Sequence, residues 1–216
     1  MSIAEWYRRK TWTPEDQEEF FTRLRRSRPH KRDQYLRIQA VCLQAVGTPE
    51  YLVGAIGLLD KLFSDYPDSI ELPLGYRQKA ECLDELGRTE EAEQAYRTSF
   101  SAMRRRPNMH PGTQIGFGMF VVKHRLTHLY REALEMLSEF TDDSDLLFPL
   151  VRYRYSAIYA VISSYWELRE EARTFAKRAL EAAEQEDSGF RYHPKIGLVT
   201  QTDTELHRNL AEMAHS

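Results

Sequence analysis

The sequence predicts an all-α protein built as a helical-hairpin solenoid, about four hairpins long, with a capping helix at each end. Three observations carry this. Apolar residues recur at helical three- and four-residue spacing along nearly the whole chain. The sequence repeats itself at an offset of 40 residues. The two ends depart from the repeat and carry their own amphipathic helices. The 216 residues, 42% hydrophobic and 29% charged, suffice for one domain with a core. The expected organisation is a single domain over 1–216: a capping helix in 1–32, hairpins in 33–186, and a loop with a last helix in 187–216.

The offset pairs Arg37 with Arg77, Ala40 with Ala80, Cys42 with Cys82, Leu43 with Leu83, Gly47 with Gly87, Glu50 with Glu90, Ala55 with Ala95 and Pro67 with Pro107. Small residues thus recur inside the apolar stripe, Gly recurs at a turn, and Pro recurs where a helix must stop. The first hairpin is expected from about Asp33 to Val46, with a turn at Gly47-Thr48-Pro49 and a second helix from about Glu50 to Asp65. In the next, Ala80, Leu83 and Leu86 lead to Gly87. Acids at Glu90 and Glu91 then open a helix that Pro107 closes. A third hairpin, lacking the turn Gly, is read from Gly116–Arg125 and Tyr130–Phe140, and a fourth from Leu150–Trp166 and Leu168–Leu180. Thr13-Pro14-Glu15-Asp16 is an N-cap, Pro and first-turn acids, which starts the first capping helix. Leu206, Leu210 and Met213 form the stripe of the last one.

Tyr76, Ala80, Leu83, Gly87, Ala92 and Tyr96 stand at successive spacings of 4, 3, 4, 5 and 4. In residue type and spacing they resemble the tetratricopeptide repeat. Here the period is 40 rather than that family's 34, so the second helices are expected to be longer. The resemblance implies a short right-handed superhelix whose first helices line a concave groove that binds another protein or peptide. Carried onto this sequence, the groove positions are Gln34, Arg37, Val41 and Gln44, then Arg77, Glu81 and Asp84, with Arg125, Arg154 and Tyr165 in the later hairpins. Arginine forks pair with carboxylates, so a partner with acidic groups is expected. The Lys and Asn set with which co-chaperone repeats hold a C-terminal carboxylate is not reproduced, because Arg37 and Val41 replace its first pair.

Catalytic signatures are missing: no phosphate-binding Gly loop, no Gly-x-Ser-x-Gly and no His-Glu-x-x-His. The expected function is therefore a non-catalytic adaptor, scaffold or cognate inhibitor (immunity) protein, without cofactor or metal. His124, His128 and Glu132 are spaced for a metal on one continuous helix, but an inter-helix turn is expected to separate them. Cys42 and Cys82 read as core packing. The aromatic block Tyr153, Tyr155, Tyr159, Tyr165 and Trp166 covers more than one helix face and reads mostly as core.

The charge is uneven. Residues 1–37 carry ten Lys/Arg against six Asp/Glu, whereas the whole chain has a net charge of −3. The alternative function is nucleic-acid binding through the basic cluster 23–32 and Arg104 to Arg106, with an RNase using Arg105 and His110 as its remotest form. A pI of about 6.2 argues against it. No apolar run approaches the length of a membrane span, and with no secretory leader at the N-terminus a cytoplasmic location is expected. Self-association through an exposed repeat face stays open. The loop 187–200 is long enough to be functional.

Overall fold

The computed structural model describes residues 5–106, 109, 111–142 and 145–215. Among them every regular element is helical: α1 (Pro14–Arg26), α2 (Arg32–Gln44), α3 (Pro49–Asp65), α4 (Leu72–Glu85), α5 (Thr89–Arg104), α6 (Thr113–Lys123), α7 (Tyr130–Phe140), α8 (Pro149–Tyr165), α9 (Arg169–Ala183) and α10 (Thr204–His215), with three short 3₁₀ turns between them. The chain divides into two compact units, Met1–Thr113 and Gln114–Ser216. No helix among the described residues is long and apolar enough to cross a membrane.

In the first unit α2 packs on α3, α3 on α4 and α4 on α5. The second helix of each pair is the longer one, 17 residues in α3 and 16 in α5 against 13 in α2 and 14 in α4. Leu36, Ala40, Leu43, Leu59, Leu62, Ala80 and Leu83 form the fully buried stripe between them. The approach of α3 to α4 is close. A Cβ on Gly75 would lie 2.9 Å from the Phe63 ring, and that ring stacks on Tyr76 with centroids 3.9 Å apart. The sequence places Cys82 and Cys42 alike in the core, but they differ: Cys82 is buried and Cys42 only half-buried.

α1 begins at the expected residue. Thr13 Oγ1 accepts from the Asp16 N–H at 3.2 Å, and Asp16 Oδ2 accepts from the Thr13 N–H at 3.1 Å, a reciprocal capping box. The segment before it, absent from the sequence reading, is a strap. The buried amide of Gln39 binds the backbone of Arg9 in both directions, at 2.9 and 2.8 Å. Tyr7 stacks on Tyr35 and Trp6 meets Phe20. Trp12 lies so close to α3 that a Cβ on Gly54 would come within 2.8 Å of it. An amide fully bonded at both ends is cheap to bury, and here it fixes the register of eight residues that have no α-helix of their own.

In the second unit α8 packs on α9, and α10 covers both. Their shared core is Tyr153, Ala157, Ala160, Ala176, Ala179, Ala182, Leu210 and Ala214. Alanines at helical spacing, Ala176, Ala179 and Ala182 on α9 against Ala157 and Ala160 on α8, let these helices approach closely. α6 approaches α8 in the same way: a Cβ on Gly118 would lie 2.6 Å from Ile158 Cδ1. The Asp203 carboxylate caps α10, accepting from the N–H groups of Glu205 and Leu206.

One turn shape recurs. Gly47 and Gly87 have φ of +78° and +73°, and among the described residues the non-glycine residues in the left-handed region are Arg125 (+51°) and Glu167 (+60°). They follow α2, α4, α6 and α8 respectively. The last three turns share their hydrogen bonds as well. Arg88 N–H donates to Leu83 O, Leu126 N–H to Val121 O and Leu168 N–H to Ser163 O, at 2.9–3.0 Å, the six-residue closure of a Schellman turn. The next residue then has nearly the same backbone in each, with ψ of 64°, 71° and 70° at Arg88, Leu126 and Leu168.

Candidate functional site

The expected groove residues of the first unit all lie on α2 and α4, which touch. The two arginines that recur in the sequence do the same job, reaching forward to the next segment of chain. Arg37 forms an ion pair with Glu71, just before α4; the side chains are 20% and 9% exposed. Arg77 donates through Nη1 to the carbonyl of Pro111 and lies 3.1 Å from Glu81 Oε1. Around Glu71 the network continues: Ser69 Oγ donates to Asp33 at 2.6 Å and accepts from the Glu71 N–H at 3.0 Å. Gln44 Nε2 donates to Glu81 and Glu85, each at 3.4 Å. Gln34, Gln44, Glu81 and Asp84 are half-exposed, and Val41 is 42% exposed beside them.

The other three positions lie in the second unit. Arg125 occupies the left-handed turn after α6 and pairs at the surface with Glu205 at 2.9 Å. Arg154 is exposed on α8. Tyr165, 56% exposed at the end of α8, meets Tyr130 edge-on at 5.1 Å. The aromatic block divides. Tyr153 is buried, Tyr159 stacks on Phe175 at 4.6 Å, and Tyr165 and Trp166 stay at the surface. Burial, with Tyr155 beside it, pushes the Tyr159 phenol well above its usual value, so that ring is a neutral packing group.

His124 closes α6, with its ring 5.1 Å from Phe120, and His128 lies in the 3₁₀ turn before α7, which carries Glu132. Among the described residues no group of three or more His, Cys, Asp or Glu side chains could hold a metal ion. Burial, reinforced by Glu85 and Glu81, pushes the Cys82 thiol up to about 12, so it is no nucleophile near neutral pH. α5 ends at Arg104, and Arg105 and Arg106 follow in the turn. His110, the partner of Arg105 in the RNase reading, and Pro107 lie outside the described residues.

The loop after α9, open in the sequence reading, is held by its own bonds. Ser188 N–H donates to Pro194 O at 2.8 Å, Ser188 Oγ to His193 O at 3.0 Å, and Lys195 Nζ to Glu186 O at 2.7 Å. Phe190 stacks on Phe148 at 5.3 Å.

Compared with protein families, with curated proteins and with solved structures, the chain matches none.

Proposed function

We propose that the chain is a non-catalytic protein-binding module made of four tetratricopeptide-like hairpins, two in each unit, and that it holds a partner polypeptide on the α2–α4 face. Left-handed turns at residues 47, 87, 125 and 167 support the repeat reading, because a turn recurring every 38 to 42 residues marks one unit used four times. The role covers adaptors, scaffolds and cognate inhibitors (immunity proteins).

One observation carries the binding reading. The half-exposed polar row on α2 and α4 is already bonded across the two helices, through Gln44 to Glu81 and Glu85, while Arg37 is held by Glu71 beneath. Side chains fixed before a partner arrives lose little rotamer freedom on binding, and Val41 supplies an apolar contact among them. On this reading Arg37 and Arg77 are braces. Partner contacts fall to Val41 and to Gln34, Gln44, Glu81 and Asp84, and the acceptors of those four suit amide or cationic groups better than the acidic groups expected from two exposed arginines. A partner's acidic groups would meet Arg125 or Arg154 in the second unit.

Affinity capture from native cell extract tests this, with nuclease-treated and untreated halves and wild type beside Val41→Arg. The expected result is a protein recovered in near-equal amount, insensitive to nuclease and lost with Val41→Arg at unchanged helical circular dichroism. Equal capture by the variant, or capture that vanishes with nuclease, sinks the proposal.

A further inference from the structure

We infer that the first unit carries a nucleotide-sized anion site in the cleft between α1 and the C-terminal turns of α3, formed by residues other than the α2–α4 face. The cleft holds about 440 Å³ and is lined by Phe21, Arg25, Arg32, Lys61, Asp65 and Tyr66, over Leu24. That is the size of an ordinary small-ligand pocket.

Charge comes first. Three cations face one carboxylate, although the chain as a whole is acidic. Between Arg23 and Arg32 there are six Lys/Arg and no Asp or Glu. The single carboxylate, Asp65, lies 2.8 Å from Lys61 one helical turn back and steadies it. Arg32 is pinned: its guanidinium donates to the carbonyl of Arg25 at 2.6 Å and to that of Ser27 at 3.0 and 3.2 Å. Those are the open carbonyls at the end of α1, so the cation is positioned at no further entropic cost. The second basic run arrives at the same rim. Arg106 donates to the carbonyl of Asp68 at 2.6 Å, two residues beyond Tyr66. The fold thus brings Arg106 to Asp68, close in sequence to Tyr66 of the cleft that Arg25 and Arg32 line, although Arg106 and Arg32 are some 75 residues apart in sequence.

The aromatic walls narrow the ligand. Phe21 and Tyr66 are half-exposed, and Lys61 sits 5.9 Å over the Phe21 ring. A bare inorganic anion would leave both rings unused. A phosphate carrying a planar ring uses the whole cleft, with Arg25, Arg32 and Lys61 on the phosphate and Phe21 or Tyr66 against the ring. That is the shared chemistry of a free nucleotide and of one residue in a single strand.

Fluorescence anisotropy of a labelled eight-nucleotide oligouridylate tests the site, with uridine monophosphate and inorganic phosphate as competitors. One phosphate neutralised on a single strand gives a log–log salt slope of about −0.7, or about threefold weaker binding from 50 to 200 mM salt. Arg25→Gln with Lys61→Gln, both exposed and remote from the core, should weaken binding at least about tenfold and flatten the slope toward zero, at unchanged circular dichroism. Tyr66→Leu should weaken binding about tenfold and leave the slope intact. Competition by the mononucleotide at the oligonucleotide's own affinity identifies a free nucleotide; much weaker competition identifies a strand. The inference is overturned by absence of binding to either at 50 mM salt, by a charge-neutralised variant that binds like wild type, or by inorganic phosphate competing as well as the mononucleotide.

Discussion

Glu167→Gly should make the protein more stable, and Gly87→Ala should make it less so. Both residues hold the left-handed turn between two helices, at φ of +60° and +73°. An L-residue there costs roughly 1–2 kcal/mol, because its Cβ crowds the carbonyl oxygen. Glycine escapes that cost but loses about 0.5–1 kcal/mol more backbone entropy on folding. The difference is about 1 kcal/mol in favour of glycine at either site. Steric contact does not complicate the sum at Gly87, where an added Cβ would meet nothing within 4 Å. Glu167 is exposed, whereas Arg125 in the same conformation also carries an ion pair with Glu205, which makes Glu167 the cleaner site. The assay is urea denaturation followed by helical circular dichroism, read as the shift in midpoint at constant slope. In a chain of this size about 1 kcal/mol corresponds to some 2–4 °C in Tm, upward for Glu167→Gly and downward for Gly87→Ala. If Glu167→Gly destabilises, or Gly87→Ala is neutral, the shared-turn argument fails.

Three further predictions follow from packing and charge. Gly118→Ala should cost about 1–3 kcal/mol, since its Cβ would sit 2.6 Å from Ile158 Cδ1; Ile158→Val, which removes that methyl, should recover part of the loss, read as a positive coupling in a double-mutant melt series. Arg37→Ala should destabilise by about 2–4 kcal/mol by stranding the Glu71 carboxylate, whereas Arg37→Leu with Glu71→Leu should come much closer to wild type; equal losses in the two would deny Arg37 its bracing role. The Cys82 thiol has an ordinary value of 9.0 and is held near 12 in the fold. Above pH 9 the unfolded chain therefore sheds a proton that the folded chain keeps. Stability is full below pH 9 and should fall by about 1.4 kcal/mol per pH unit from there toward 12. Urea midpoints at pH 8, 9 and 10 should show a shallower alkaline decline for Cys82→Ala.

Much of the fold is legible in the chain because helices are local. Pattern and capping chemistry act within four residues, so Thr13-Pro14 starts α1 and Tyr130 starts α7 as the residues dictate. Gly47 and Gly87 announce their turns because glycine is the default residue at positive φ. The third and fourth turns adopt the same shape with Arg125 and Glu167, and no rule about residue type would put a turn of that hand there. The backbone conformation is imposed by the helices it joins, which recover its cost through buried contacts such as Leu129, Tyr130 and Ala172.

What the sequence by itself determined is the helical class, the order of the helices, the 40-residue offset of the first two pairs and the basic clusters at 23–32 and 104–106. Only the tertiary structure decided where the charged groups spend themselves. Arg37 and Arg77 look identical as repeated surface arginines, yet each turns inward to a partner 34 residues further along, Glu71 in one case and the Pro111 carbonyl in the other. Gln39 and Gly54 look unremarkable until the strap of residues 5–12 is laid across them. Lys61 and Tyr66 join Arg25 and Arg32 in one cleft only because α3 ends beside α1. Periodicity reports which face of a helix is buried; it carries no information on which distant side chain that face meets, because that depends on how the helices pack.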